Sequence, residues 1–264
     1  MKILFIGDIV GKPGRRAVGE LLPGLLAERG IDFVIANCEN AAAGFGITRE
    51  IVEELFASGI DVLTSGNHIW DKKEVLTFIN DYETLLRPAN YPARTPGRGT
   101  VAMPTASGDY VGVLNLAGRI FMPPLDCPFV TAKSQIAELQ KKTNIIVVDI
   151  HAEATSEKKA LGWYLDGEVS AILGTHTHVQ TADEEILPSG TAYLSDVGMT
   201  GPFDSVIGVK KDAVIERFLT MIPNKFDVAK GDVRLQAALL DIDAGTGKAN
   251  SIERISLKLK ESRE

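Results

Sequence analysis

Short apolar runs and segments of helical periodicity alternate along nearly the whole chain. Residues 3–7 predict a first strand; after it Ala17, Val18, Leu21, Leu22, Leu25 and Leu26 recur at helical spacing, with Pro23 predicting a kink. Residues 32–36 predict a second strand, Thr48 with Glu50 in the first turn opens a helix, and 61–64 predict a third strand. The order is βαβαβ, the signature of a parallel sheet with crossing helices. Residues 72–79 predict a short helix. The loop 87–99, holding Pro88, Pro92, Pro96, Gly97 and Gly99, leaves no room for a regular element. Strands at 111–116, 145–148, 169–173 and 192–194 then alternate with helices near 132–142 and 156–165. The last third holds a helix near 212–221 and alternating runs at 226–229, 233–242 and 252–259, read as antiparallel edge strands or hairpins closing the sheet. No repeat, low-complexity tract or long linker divides the chain, so a single domain over residues 1–264 is expected.

The polar residues fall where such a sheet binds ligands. Asp8, Glu39 with Asn40, Asn67 with His68, His151 with Glu153, His176 with His178, and Asp196 each follow the carboxyl end of a predicted strand. In an open α/β sheet those ends share one edge. The chain has 4 histidines, and all of them lie at strand exits. His176 and His178, read as positions i and i+2 of an extended segment, would face the same way and suit a metal. A lone histidine after a strand is more often a hydrogen-bonded structural residue; all four in matching positions favour ligation. Mixed nitrogen and oxygen donors without cysteine suit iron, manganese or zinc. Asp8, Glu39, Asn40, Asn67, His151, His176 and His178 exceed the roughly three or four protein ligands of one catalytic metal. Two metals about 3.5 to 4 Å apart, bridged by one carboxylate, would use them all. A water between two such cations becomes hydroxide at neutral pH, and the natural chemistry is phosphoester hydrolysis. His68 is then either the general acid over the leaving oxygen or one more ligand.

Composition narrows the partners. Hydrophobic residues make up 45% of the 264, ample for a large core, and the net charge of -7 opposes long polyanions. A small phosphorylated substrate fits better than duplex DNA. No apolar run approaches the roughly 18 to 20 residues of a membrane span, and the N-terminal run stops too early for a signal peptide, so a cytoplasmic protein is expected. Cys38 and Cys127 form no metal or disulfide pattern.

Gly66-Asn67-His68, the solitary His151 and Gly174-Thr175-His176-Thr177-His178 resemble calcineurin-like metallophosphoesterases. Gly7 to Gly11, Glu39 to Ala41, Gly66 to Lys73, Arg87 to Asn90, His151 to Lys158, Thr175 to Asp183 and Asp196 to Pro202 narrow the resemblance to the YmdB-like bacterial branch, over nearly the whole chain. The wider superfamily opens with Asp-x-His and bridges its metals with an aspartate. Here Val10 stands where that histidine would be, Glu39 takes the bridging place, and Asn40 replaces the missing histidine. The resemblance implies one metal held by Asp8, Glu39, Asn40 and His178, and another by Glu39, Asn67, His151 and His176. It implies a four-layer α/β/β/α sandwich and a phosphodiesterase acting on 2′,3′-cyclic nucleotides, with iron the native metal and homo-oligomers expected. For that substrate, hydroxide held by the metals attacks in line and His68 protonates the departing 2′ oxygen, leaving a 3′-phosphate.

Competing readings are a phosphomonoesterase or protein phosphatase with the same centre, and a metal-binding regulatory scaffold; RNA is a further candidate substrate. The spare His68 argues against a scaffold. Lys12 and Arg15 read equally as phosphate contacts or solvated charge, Arg94 and Arg98 as surface charge, and Trp70 as a base-stacking or a wall residue. Asp71 and Glu153 are read as acceptors that orient histidines. Cys38, facing away from the metals, reads as core. Asp183 and Asp196 stand apart from the ligands, since each could cap a helix or turn.

Overall fold

The structure, a computed structural model, describes residues 1–260. Its first half runs β1 (Lys2–Ile6), β2 (Asp8–Ile9), α1 (Gly11–Arg29), β3 (Phe33–Asn37), α2 (Arg49–Ala57), β4 (Val62–Thr64), α3 (Val75–Phe78), β5 (Thr100–Pro104) and β6 (Tyr110–Ala117). The second half runs α4 (Pro128–Leu139), β7 (Ile146–His151), α5 (Thr155–Tyr164), β8 (Ala171–Thr175), β9 (Glu185–Ile186), β10 (Ala192–Leu194), β11 (Met199–Pro202), α6 (Lys211–Thr220), β12 (Val233–Ile242) and β13 (Ala249–Lys258). Helix boundaries follow local chemistry. The Thr48 hydroxyl caps α2 by accepting from the Ile51 N–H at 3.4 Å, and α1 ends at Gly30, whose left-handed φ of 60° lets its N–H return to the Leu26 carbonyl. α1 runs on through Pro23, whose ring faces solvent.

The strands form two mixed sheets, one ordered β2-β11-β12-β1-β3-β4 with β13 against β12, the other β5-β6-β7-β8-β10-β9. β1, β3 and β4 are parallel, as are β6, β7, β8 and β10, so each sheet gathers several carboxyl ends along one edge. Strand alternation sorts the apolar side chains into layers. On β1, Ile3 and Phe5 meet Val113, Val147 and Leu173 of the other sheet, while Leu4 and Ile6 meet Val18 and Leu22 of α1. Leu114, Val148 and Ile172 turn the outer face of the second sheet toward Ala132 and Ile136 of α4 and Leu161 of α5. Both faces of the parallel strands are therefore buried, which is why they read as continuous apolar runs. Among the described residues no helix is long and apolar enough to cross a membrane.

Several elements differ from the sequence reading. Residues 226–229 are not a strand; Val228 makes only an isolated bridge to Val209. β12 and β13 form the antiparallel hairpin that the reading allowed, but only β13 lies at the edge, since β11 and β1 pair along the other side of β12. The pieces β2, β5, β9 and β11 were not anticipated, because strands of two to five residues with mixed polarity carry too little pattern.

Candidate metal centre

A polar latch joins the two sheets just below their carboxyl edge. Asp149 on β7 accepts from Thr64 Oγ1 at 2.5 Å and Asn37 Nδ2 at 3.1 Å of the first sheet, and from Thr175 Oγ1 at 2.7 Å of its own. Burial pushes its carboxyl up to about 7. Above it, all seven residues read as ligands come together from both sheets.

The hydrogen bonds fix which ring nitrogens are free. Thr175 gives its one hydroxyl proton to Asp149, so at 2.9 Å it accepts from His151 Nδ1. That turns His151 Nε2 toward Glu39 Oε1 at 2.9 Å, His176 Nδ1 at 3.0 Å and Asn67 Oδ1 at 3.2 Å. His176 faces the Glu153 carboxylate with Nε2 at 3.2 Å, so its Nδ1 carries the lone pair. His178 donates from Nδ1 to the Ile207 carbonyl at 2.9 Å and presents Nε2 to Asn40 Oδ1 at 3.3 Å. The Asn40 amide nitrogen is taken by the Gly44 carbonyl, which settles the direction of its oxygen.

Asp8 is fully buried, and its Oδ2 accepts from the His176 N–H. Its Oδ1 has no hydrogen-bond partner among the described residues and stands 3.8 Å from His151 Nδ1. An orphaned buried carboxylate oxygen demands an explanation, and a cation supplies one. Glu39, His151 and His176 each offer an atom within 4.8 Å of the others, a grouping with the geometry to hold a metal ion.

The titration behaviour reports the same appetite for positive charge. Burial raises the Asp8 carboxyl. Burial also pushes Glu39 up, but the charge and hydrogen bond of His151 outweigh it and bring Glu39 to about 2. Burial pushes His151 down, and the Glu39 and Asp8 carboxylates pull it back up to about 9, so an imidazolium balances them. A metal ion would take over that balance and displace the proton. His176 is held neutral, pushed to about 3 by burial and then by the charge of His151.

His176 and His178 reach this point by a different route from the one their spacing suggests. β8 ends at Thr175, and the two histidines lie beyond it with φ of 100° and 65°, left-handed conformations that bulky residues rarely adopt. Such backbone costs on the order of 1–3 kcal/mol per residue unless its surroundings impose it. Here Asp196 Oδ2 accepts from both the N–H (3.1 Å) and the hydroxyl (2.8 Å) of Thr177, between the two histidines. Lys158 Nζ meets the same carboxylate oxygen at 2.8 Å and the Thr175 carbonyl at 2.8 Å, and both charged side chains are buried. Asp183 instead accepts from Ser195. Of this network, sequence reading reached only the two aspartates, as residues that could cap a helix or turn. The signal for Lys158 was a lysine on the helix face that also carries Leu161.

Gly66 explains why the cradle is tight. A Cβ there would lie 2.1 Å from His151 Cδ2 and 2.5 Å from Glu39 Oε2. Gly66→Ala is expected to leave the fold intact and weaken metal affinity tenfold or more. Equilibrium dialysis against Mn²⁺ checks this; unchanged affinity would contradict the close approach.

His68 stands apart from the converging donors. It opens a short 3₁₀ turn after β4, its N–H donates to Glu39 Oε2 at 3.0 Å, its Nδ1 pairs with Asp71 at 2.9 Å, and its ring meets Phe45 edge-on. Together with Glu39, Asn40, His176 and His178 it lines a cavity of about 610 Å³. Asp71 and Glu153 thus each meet an imidazole. Trp70 instead packs against Tyr91, Arg15 binds Glu54 and the Ala41 carbonyl, Arg98 pairs with Glu83, and Cys38 lies in the core beneath α1 and α2. Arg87, mostly buried, ties its own loop together through the Pro88, Thr95 and Pro96 carbonyls.

Stacked mixed sheets whose aligned strand ends supply imidazole, carboxylate and carboxamide donors define an α/β protein of the metal-site class. Residues 4–255 match the YmdB-like protein family, and the chain belongs to it. It is 54% identical over 255 residues to the 2′,3′-cyclic-nucleotide 2′-phosphodiesterase of Bacillus subtilis, covering 97% of this chain and 96% of that one. Its fold matches a hypothetical protein from Thermus thermophilus with a TM-score of 0.92 at 44% identity, covering 98% of this chain and 99% of the other. A crystal structure described as a novel phosphatase from Mycoplasma pneumoniae matches with a TM-score of 0.91 at 34% identity, covering 98% and 93%.

Proposed function

We propose that this protein is a dinuclear metal-dependent phosphodiesterase that opens 2′,3′-cyclic nucleotides to 3′-nucleotides. The observation that carries the reading is the convergence of Glu39, Asn67 and His176 on His151 Nε2, beside the unpartnered Asp8 oxygen. The near full-length identity to a relative of that activity supports the substrate class. Glu39, Asn67, His151 and His176 would hold one ion, and Asp8, Glu39, Asn40 and His178 the other, with iron the native metal and manganese or zinc acceptable to the same donors. When bound, such ions neutralise phosphate oxygens and lower the pKa of water enough to supply the nucleophile.

The residues of the chain do the rest. As general acid His68 acts as an imidazolium, its Nδ1–H held by Asp71 and its Nε2–H left for the leaving group. As the water oxygen bonds to phosphorus, the bond from phosphorus to O2′ breaks and His68 Nε2 protonates that oxygen. Asp196 and Lys158 keep the histidine turn in its left-handed form. The layering of helices outside two stacked sheets supports the four-layer α/β/β/α type, built as one domain. The proposal extends to a cytoplasmic homo-oligomer and to RNA as a further phosphodiester substrate.

The test is hydrolysis of 2′,3′-cyclic AMP by protein of measured metal content. The expected result is 3′-AMP as product, turnover that tracks two metals per chain, and loss of activity on chelation with recovery on Mn²⁺ or Fe²⁺. Inert protein carrying two metals would sink the reading, and phosphate release from 3′-AMP would move it to a phosphomonoesterase.

A further inference from the structure

The cavity at the donor cluster has a second wall that the chemistry of phosphate leaves unused. α6 turns Val214, Arg217 and Phe218 toward it, and Met221, the left-handed residue just past its end, joins them. The three helical residues are positions i, i+3 and i+4, a stripe that a helix ordinarily buries in a core. Here Val214 alone is buried, while Phe218 is 76% and Met221 80% exposed. Phe226 and Val228 complete the wall, and the Arg217 guanidinium lies 5.2 Å from the Phe226 ring centroid. Asp227, which lines the cavity between Phe226 and Val228, is paired with Lys210.

We propose that this wall is the nucleobase subsite, an inference that rests on the phosphodiesterase reading above. A phosphate seated at the donor cluster must direct its ribose and base into the remainder of the same cavity, whose volume of about 610 Å³ lies within the roughly 300–1,000 Å³ range of small-molecule sites. The surface waiting there is aromatic and aliphatic. It suits the flat face of a base better than the donors and acceptors on its edge, so all four bases are accepted and purines, with the larger face, are favoured. Phe218 is the principal contact, because its ring is the largest side chain of the stripe and is held by no buried neighbour layer.

The experiment compares 2′,3′-cyclic AMP with methyl ribofuranoside 2′,3′-cyclic phosphate, which keeps the reacting ring and lacks the base. Wild type, Phe218→Ala and Phe218→Trp are assayed with both, and their molar masses are measured by light scattering. Phe218→Ala is expected to raise KM for the nucleotide about tenfold with kcat little changed. The base-free ester should not distinguish the variant from wild type, and Phe218→Trp should restore the low KM. Equal kcat/KM of wild type for the two compounds would overturn the subsite while leaving the phosphodiesterase reading standing. So would a Phe218→Ala effect of equal size on both, or on neither. A change of molar mass with both activities falling together would make the wall an interface between copies and overturn the proposal. Wild-type protein that turns over neither compound overturns the functional reading and the subsite with it.

Discussion

His68→Ala is expected to lower turnover of 2′,3′-cyclic AMP by about 10²- to 10⁴-fold while metal content stays at the wild-type value. The expectation follows from where the ring stands. Its backbone N–H touches Glu39, but its imidazole is anchored by Asp71 and Phe45, outside the set of atoms that converge on His151 Nε2. On the proposed reading, removing the ring should subtract a proton donor without subtracting a ligand. An ester whose leaving group is a nitrophenol needs no proton to depart, and on it the loss should shrink to about tenfold or less. A variant that loses metal in step with activity would instead make His68 a ligand, the alternative its sequence position left open.

The largest stability effect is expected at Lys158. Its ammonium and the Asp196 carboxylate are almost fully buried and 2.8 Å apart, so Lys158→Met strands a carboxylate in a site closed to water. Removing one partner of such a pair costs about 3–5 kcal/mol. Urea denaturation of metal-free protein measures it without the stabilisation that bound metal would add. A loss below about 1 kcal/mol would mean that Asp196 is satisfied by the Thr177 and Gly198 donors alone. Because Asp196 also holds Thr177, a folded Lys158→Met protein should bind metal more weakly through a loosened histidine turn.

Much of this was legible in the sequence, for reasons that differ by residue. Parallel strands such as β3 and β7 are buried on both faces and announce themselves as unbroken apolar runs, which made their polar exits visible. The histidine pair was found for a partly mistaken reason. Spacing predicted a shared face on extended chain, whereas the side chains meet through two left-handed residues held by Lys158 and Asp196, contacts that no local pattern encodes. Residues 226–229 misled in a related way. Alternating apolar residues mark a surface that faces something, and a strand is only one way to supply it; here Phe226 and Val228 face the cavity. Arg87 shows the limit for charge. The Pro-rich loop that holds it carries no regular pattern, and only the structure shows that its donors go to carbonyls of that same loop.

The place of β12 bears on how the chain is made. β1, the first strand of its sheet in sequence, pairs on one side with β3 soon after, but its other side pairs with residues 237–241 of β12. Until β12 is made that edge is an open strand, with its backbone donors and acceptors exposed to any neighbour, including another nascent chain. A chain stopped before residue 233 lacks an interior strand of that sheet, which therefore closes only after β12 has been made.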